Sequence, residues 1–147
     1  MLQNKLIKST NNLNKQNKIN KILVFGNNLI KGDSLTFNLI PKLQKIYQDI
    51  KFKEFDPTEN LEGEIQNRSL FILDVAKGIK DLKILNIFDL DNLELSIYSM
   101  HDFDLAYNIK LLKKLEKLKH ITIIAIPPNI KETEALIKIK KAIEFLR

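Results

Sequence analysis

The chain predicts a three-layer α/β/α domain, with a mostly parallel, twisted sheet of about five strands and helices on both faces. Three observations lead there. Apolar runs of strand length, KILVF at Lys21 to Phe25 and ITIIAI at Ile121 to Ile126, alternate with segments whose apolar residues recur at helical spacing. The second run is almost wholly apolar, the pattern of a strand covered on both faces. Strands alternating with helices imply right-handed crossovers and therefore parallel neighbours.

The elements follow in order. Lys21 to Phe25 is a central strand. Leu35, Leu39, Leu43 and Tyr47, with Ile40 and Ile46 beside them, mark a helix that Pro41 either kinks or opens as its first turn. Lys51 to Phe55 alternates weakly as a strand, and Asp56-Pro57-Thr58-Glu59 is a turn on the same sheet edge as the strand ends. Leu61 to Asn67 admits a short helix or a loop. Ser69 to Val75 and Leu82 to Phe88 read as strands, whereas Leu93 to Met100 admits a short strand or an ordered loop. Leu105, Ile109, Leu112, Leu115 and Leu118 mark a helix running from Asp104, capped by Asp102 or Asp104. Pro127-Pro128 stops the strand before it, and Thr133 to Leu146 closes the chain as a helix with Leu136, Ile139, Ile143 and Leu146 on one stripe.

A length of 147 residues fits one domain over 1–147, with a Lys/Asn-rich arm or extra element over 1–20 and the α/β unit over 21–147. Charged residues at 29% and apolar residues at 44% suit a folded globular chain. No apolar run approaches the roughly 18 residues needed to cross a bilayer. Met1 to Asn20 lacks the apolar centre of a secretory signal. Without cysteine there is no disulfide, thiol nucleophile or thiolate metal site. The cytoplasm is the expected compartment, and no membrane partner is expected.

The net charge of +6 and a pI near 9.4 raise the question of nucleic acid. Lys110, Lys113, Lys114, Lys117 and Lys119 on one helix, and Lys138, Lys140 and Lys141 on another, have the spacing of solvent faces. No RNA-recognition signature, zinc-finger pattern or glycine loop accompanies them. No nucleic-acid partner is expected.

Three polar residues stand at strand ends or helix starts. Asp33 follows the turn Gly26-Asn27 after the first strand, Asp74 ends the run from Ser69, and His101 precedes the helical run from Asp104. In a parallel sheet these positions belong to the carboxyl edge, where ligands bind. Two carboxylates and an imidazole without sulfur suit nickel, manganese, iron or zinc, and three ligands leave open positions for water or substrate. Each residue also has a structural role open to it: an Asp at a helix start caps it, an Asp after a strand forms a turn, and a lone His is often exposed or structural. Asn27 suits the left-handed backbone of a turn bordering the cleft, with Gly26 beside it. Asp102 and Asp104 either cap the helix or orient His101.

Three segments resemble the hydrogenase maturation protease family, which trims the large subunit of nickel-iron hydrogenases. Phe25 to Asp33 (FGNNLIKGD) resembles its Gly-Asn-x-Leu-x-x-Asp-Asp/Glu signature. Phe71 to Ala76 (FILDVA) resembles its strand ending in a ligand aspartate. Ser99 to Leu105 (SMHDFDL) resembles its Thr/Ser-x-His-x-x-x-Leu segment. Ile124 to Ile130 resembles the family's last strand, where Gly-Ile-Gln-Pro is common. Gly32 stands where the first Asp of the acidic pair is usual, and Leu35-Thr36-Phe37 replaces the glycine-proline step that follows.

The resemblance implies that Asp33, Asp74 and His101 are catalytic metal ligands, with the ion being nickel supplied by the substrate and zinc or cadmium substituting in vitro. It further implies a monomeric endopeptidase that removes a C-terminal extension from a hydrogenase large-subunit precursor after nickel insertion. A degenerate member that checks metal or binds protein without cleaving is the alternative.

Overall fold

The computed structural model describes residues 18–25, 35–56, 59–76, 78–86 and 100–147, the last with side chains from residue 107 onward. Gly26, Asn27, Gly32, Asp33, the segment Leu93 to Ser99 and the arm up to residue 17 lie outside the described residues.

Five strands form one sheet: β1 (Lys21–Phe25), β2 (Lys51–Phe55), β3 (Ser69–Val75), β4 (Lys83–Asn86) and β5 (His120–Ile126), in the order β2-β1-β3-β5-β4. All neighbours are parallel except β4, which runs antiparallel to β5 at the sheet's edge. Helices α1 (Leu35–Ile46), α2 (Met100–Lys114) and α3 (Glu132–Leu146) cover the two faces. The predicted α/β/α architecture is the one observed.

Pleat alternation divides the core. Ile22 and Val24 of β1, Leu73 and Val75 of β3, and Ile124 and Ile126 of β5 pack with Leu39 and Leu43 of α1 and Ile139 and Ile143 of α3. On the other face, Leu23, Phe25, Leu70, Ile72, Ile121 and Ile123 pack with Ile109 and Leu112 of α2. Phe25 and Phe55 stack there with ring centroids 5.4 Å apart. Ile19 joins the first cluster, and the Asn20 carbonyl accepts the Lys51 N–H at 2.8 Å, so the folded unit includes residues just ahead of β1.

Several boundaries depart from the periodicity. Helix α1 runs through Pro41, so proline does not open it. A side chain then secures the turn into β2: Gln44 Nε2 donates to the carbonyls of Tyr47 and Ile50 at 3.1 and 2.8 Å, and its Oε1 accepts the Phe52 N–H at 3.1 Å. The Leu61 to Asn67 stretch contains a short 3-10 turn over Glu62–Glu64. Strand β4 begins at Lys83, one residue after Leu82, and is described to Asn86; residues 87 and 88 of the expected strand lie outside the described residues.

Helix α2 begins at Met100, so His101, Asp102 and Asp104 lie within it rather than ahead of it or at its cap. It ends at Lys114, leaving Lys117 and Lys119 beyond it. Glu116 adopts φ 60°, and the N–H groups of Glu116 and Lys117 donate to the carbonyls of Lys113 and Leu112, each at 3.0 Å. This is a Schellman turn closed by glutamate instead of glycine. Leu115, one of the apolar residues whose spacing marks this helix, lies just past its end and is 54% exposed. Each step of three residues turns about 300°, so the series Ile109, Leu112, Leu115 rotates off the buried face. Leu118 returns to the core only because the chain has turned out of the helix.

Candidate functional site

The strand order reverses between β1 and β3. From β1 the chain passes through α1 on one face to β2, and from β3 it passes to the edge strand β4 and then, by way of α2 on the opposite face, to β5. The chain thus leaves β1 and β3 for opposite edges of the sheet, and in open α/β sheets the carboxyl ends of the strands at such a reversal are where ligands bind.

Asp74 sits at that reversal, one residue from the end of β3. It is 7% exposed, among three buried polar residues in the described chain, and its Oδ1 accepts the Val75 N–H at 2.8 Å. The pleat puts Asp74 on the face of Leu70, Ile72 and Ala76, which is the face α2 covers. In register across from it on β5 is Ala125, the smallest side chain of that strand. On its other side, the register Val24↔Leu73 brings the end of β1, and so the start of the connection containing Asp33, level with Asp74.

The β1–α1 connection is anchored on its helical side. Thr36, fully buried in the first turn of α1, donates its hydroxyl to the Phe25 carbonyl at 2.7 Å. Sequence reading passed over this threonine. Its signal was a small hydroxyl residue at the start of an otherwise apolar helix. Helix α2 finishes at the opposite, amino edge of the sheet, because the Lys119 and His120 N–H groups both donate to the Arg68 carbonyl just ahead of β3. Fifteen helical residues span about 22 Å, comparable to a seven-residue strand at about 3.3 Å per residue. Helix α2 is thus long enough for its first turn, with His101 in its backbone, to reach the carboxyl edge that carries Asp74.

Of the sequence candidates, Asp74 is described in full and His101, Asp102 and Asp104 by backbone alone; Gly26, Asn27 and Asp33 lie outside the described residues. Among the described residues, no group of three or more His, Cys, Asp and Glu side chains could hold a metal. An open groove of about 450 Å³ lies along the same edge, between Gly78–Lys80 after β3 and Pro127–Ile130 after β5, with Lys138 of α3 on its wall. That Lys138 pairs with Asp81 at 2.5 Å and Glu134 at 3.2 Å.

Elsewhere the basic charge is dispersed in ion pairs, including Lys117 with Glu62, Lys42 with Glu132 and Arg147 with Asp49. Glu64, between Lys21 and Lys53, is more buried than the carboxylates of those pairs; burial raises its pKa, but hydrogen bonds from both lysines win and hold it below the usual carboxylate range. No helix among the described residues is long and apolar enough to cross a membrane.

The geometry defines an open α/β protein with a buried carboxylate at its switch point. A family model described as hydrogenase maturation protease (HycI) matches residues 57–146, more than half of the chain, and the chain belongs to that family. Membership makes it a protease of hydrogenase maturation. The match takes in Asp74 and the whole of α2 with His101, and begins after the segment that contains Gly26, Asn27 and Asp33. No curated protein and no solved structure matches the chain significantly.

Proposed function

We propose that this chain is an active endopeptidase that removes the C-terminal extension of a nickel-iron hydrogenase large-subunit precursor, and that Asp33, Asp74 and His101 engage nickel carried by that precursor. The observation that supports it most is the buried Asp74 carboxylate at the strand-order reversal, inside the family match and on the face shared with α2. The donor set fits the ion: two carboxylates and one imidazole, without thiolate, suit a borderline divalent metal. Nickel bound there polarises the scissile carbonyl or activates a water. The chain's own part is to hold oxygen and nitrogen donors at a protected edge and to seat polypeptide along it. Nickel belongs to the substrate, so its engagement lets the protease read whether the precursor has been metallated.

The test is cleavage of nickel-loaded precursor, followed by the mass of the product. Wild type should shorten it, while Asp74→Asn and His101→Ala, folded by circular dichroism, should slow cleavage at least roughly a hundredfold. Unchanged cleavage in both variants overturns the ligand assignment.

A second reading is a degenerate member that binds metallated precursor without cutting it. Gly32 in place of an acid, in a segment ahead of the family match, favours it. Retention of a stable complex with no shortened product would decide for this reading.

A further inference from the structure

The ladder between β3 and β5 stops at Ala76, and the sequence explains why. Ala76 N–H donates to the Ile126 carbonyl at 2.9 Å. The register runs Asp74↔Ala125 and Val75↔Ile126, so the next rung of a parallel ladder would pass from the N–H of residue 128 to the Ala76 carbonyl. That residue is Pro128, which has no N–H, and Pro127 before it has none either. The Ala76 carbonyl therefore lacks its ladder donor. Among the described residues, no backbone hydrogen bond joins Gly78–Lys80 to Pro127–Ile130, and the groove of about 450 Å³ opens between these two segments.

One ion pair ties the walls together. Asp81 follows Lys80 on the first wall, and Lys138 stands on α3, the continuation of the second; they meet at 2.5 Å, with Glu134 holding Lys138 at 3.2 Å. Lys80 and Lys138 are thus balanced by Asp81 and Glu134, and the walls offer no net charge to a phosphate or other strong anion. Half-buried Ile79, Pro128 and Ile130 supply apolar surface beside the interrupted ladder. A strand end with a missing donor, apolar wall positions and balanced charge suit an extended polypeptide, which brings backbone N–H groups and side chains together. Walls on both sides admit a single chain and exclude a folded body. The ladder stops two residues past Asp74, about 7 Å along the strand.

We infer that this groove seats the C-terminal extension of the precursor, the segment on the far side of the bond that is cut, and that the Asp81–Lys138 pair holds its walls in place. The inference rests on the functional reading above. It makes the extension itself a recognised element, so that cleavage removes the contacts that retain the substrate and releases the processed subunit.

The experiment compares wild type, Asn129→Trp, Lys138→Met and Lys138→Arg. Steady-state cleavage of nickel-loaded precursor gives KM and kcat, and inhibition by the processed subunit, which lacks the extension, gives Ki. Asn129 lines the groove, is exposed and has no left-handed backbone, so tryptophan there fills the groove without backbone strain. Asn129→Trp should raise KM about tenfold or more at unchanged kcat. Lys138→Met should raise it about threefold, while Lys138→Arg keeps the pair and the wild-type KM. Ki for the processed subunit should stay unchanged in all three. Should Lys138→Met lose its fold by circular dichroism, Asn129→Trp decides alone.

Cleavage by wild type with KM unchanged in Asn129→Trp overturns the groove and leaves the functional reading standing. An equal rise in KM and Ki overturns it too, because the groove would then hold the body of the subunit. Binding without cleavage by wild type overturns the active-protease reading alone; the groove then stands or falls by the same comparison made on dissociation constants. No binding of precursor by wild type overturns both.

Discussion

The hydroxyl of Thr36 donates to the carbonyl of Phe25 at 2.7 Å, with both residues fully buried. It ties the first turn of α1 back to the last residue of β1, across the connection that contains Asp33. Thr36→Val keeps the shape and removes this donor, which should cost about 0.5–1.5 kcal/mol of stability. Cleavage should fall by a larger factor than the lost stability explains, since the tie sets where the connection rejoins the fold. Urea midpoints beside kcat/KM on the precursor check this; equal wild-type and variant activity would remove Thr36 from the site's support.

Nickel titrated calorimetrically into the metal-free protein should bind at one site that Asp33→Ala, Asp74→Ala and His101→Ala each weaken, with zinc or cadmium as comparison ions. Asp74 is the sharpest arm, because its burial makes a retained fold and a lost site separable by circular dichroism. Binding indifferent to all three substitutions rejects the triad.

Backbone strain at two exposed positions predicts easy gains. Glu116 and Arg68 hold φ of 60° and 57° without being glycine. Left-handed backbone costs an ordinary residue about 1–2 kcal/mol, and glycine returns part of this through a freer unfolded chain. Glu116→Gly and Arg68→Gly should each raise stability by roughly 0.5–1 kcal/mol, read as a higher urea midpoint at unchanged slope. A lower midpoint would mean that the side chains contribute more than the backbone loses.

Glu64 links stability to pH. Its folded pKa is depressed below the unfolded value by Lys21 and Lys53, despite burial acting the other way. The stabilisation is therefore present above the unfolded carboxylate pKa, and is lost as pH falls through the lower folded value. Glu64→Gln should destabilise by about 1–3 kcal/mol at pH 7, and the gap should close on acidification below about pH 4. A gap constant with pH would show that packing, rather than charge, holds this corner.

The parallel strands β1, β3 and β5 were legible because each is a compact apolar run between clear breakers, and β2 because Phe52 and Phe55 alternate with polar residues. Lys21–Phe25 and Ser69–Val75 match their runs residue for residue. Helix boundaries were less so. Asp102 and Asp104 have the chemistry of caps, yet α2 starts ahead of both, since a capping residue type also serves within the first turns of a helix. Leu115 fits a stripe by spacing, but its exposure depends on how far the helix rotates against the sheet. Of the candidate site, Asp74 was visible as a carboxylate ending an apolar strand. Its neighbour Ala125 was not, because cross-strand register joins residues some fifty positions apart.

Local pattern was sufficient for the fold class, the parallel strands and the identity of the acidic strand end, because periodicity and turn chemistry act over a few residues. The order β2-β1-β3-β5-β4, the reversal at which Asp74 stands, and the rotation of α2 that buries Ile109 and Leu112 and leaves Tyr107 and Leu111 exposed were decided only in three dimensions. Strand pairing and helix rotation are set by non-local burial, which no single segment encodes.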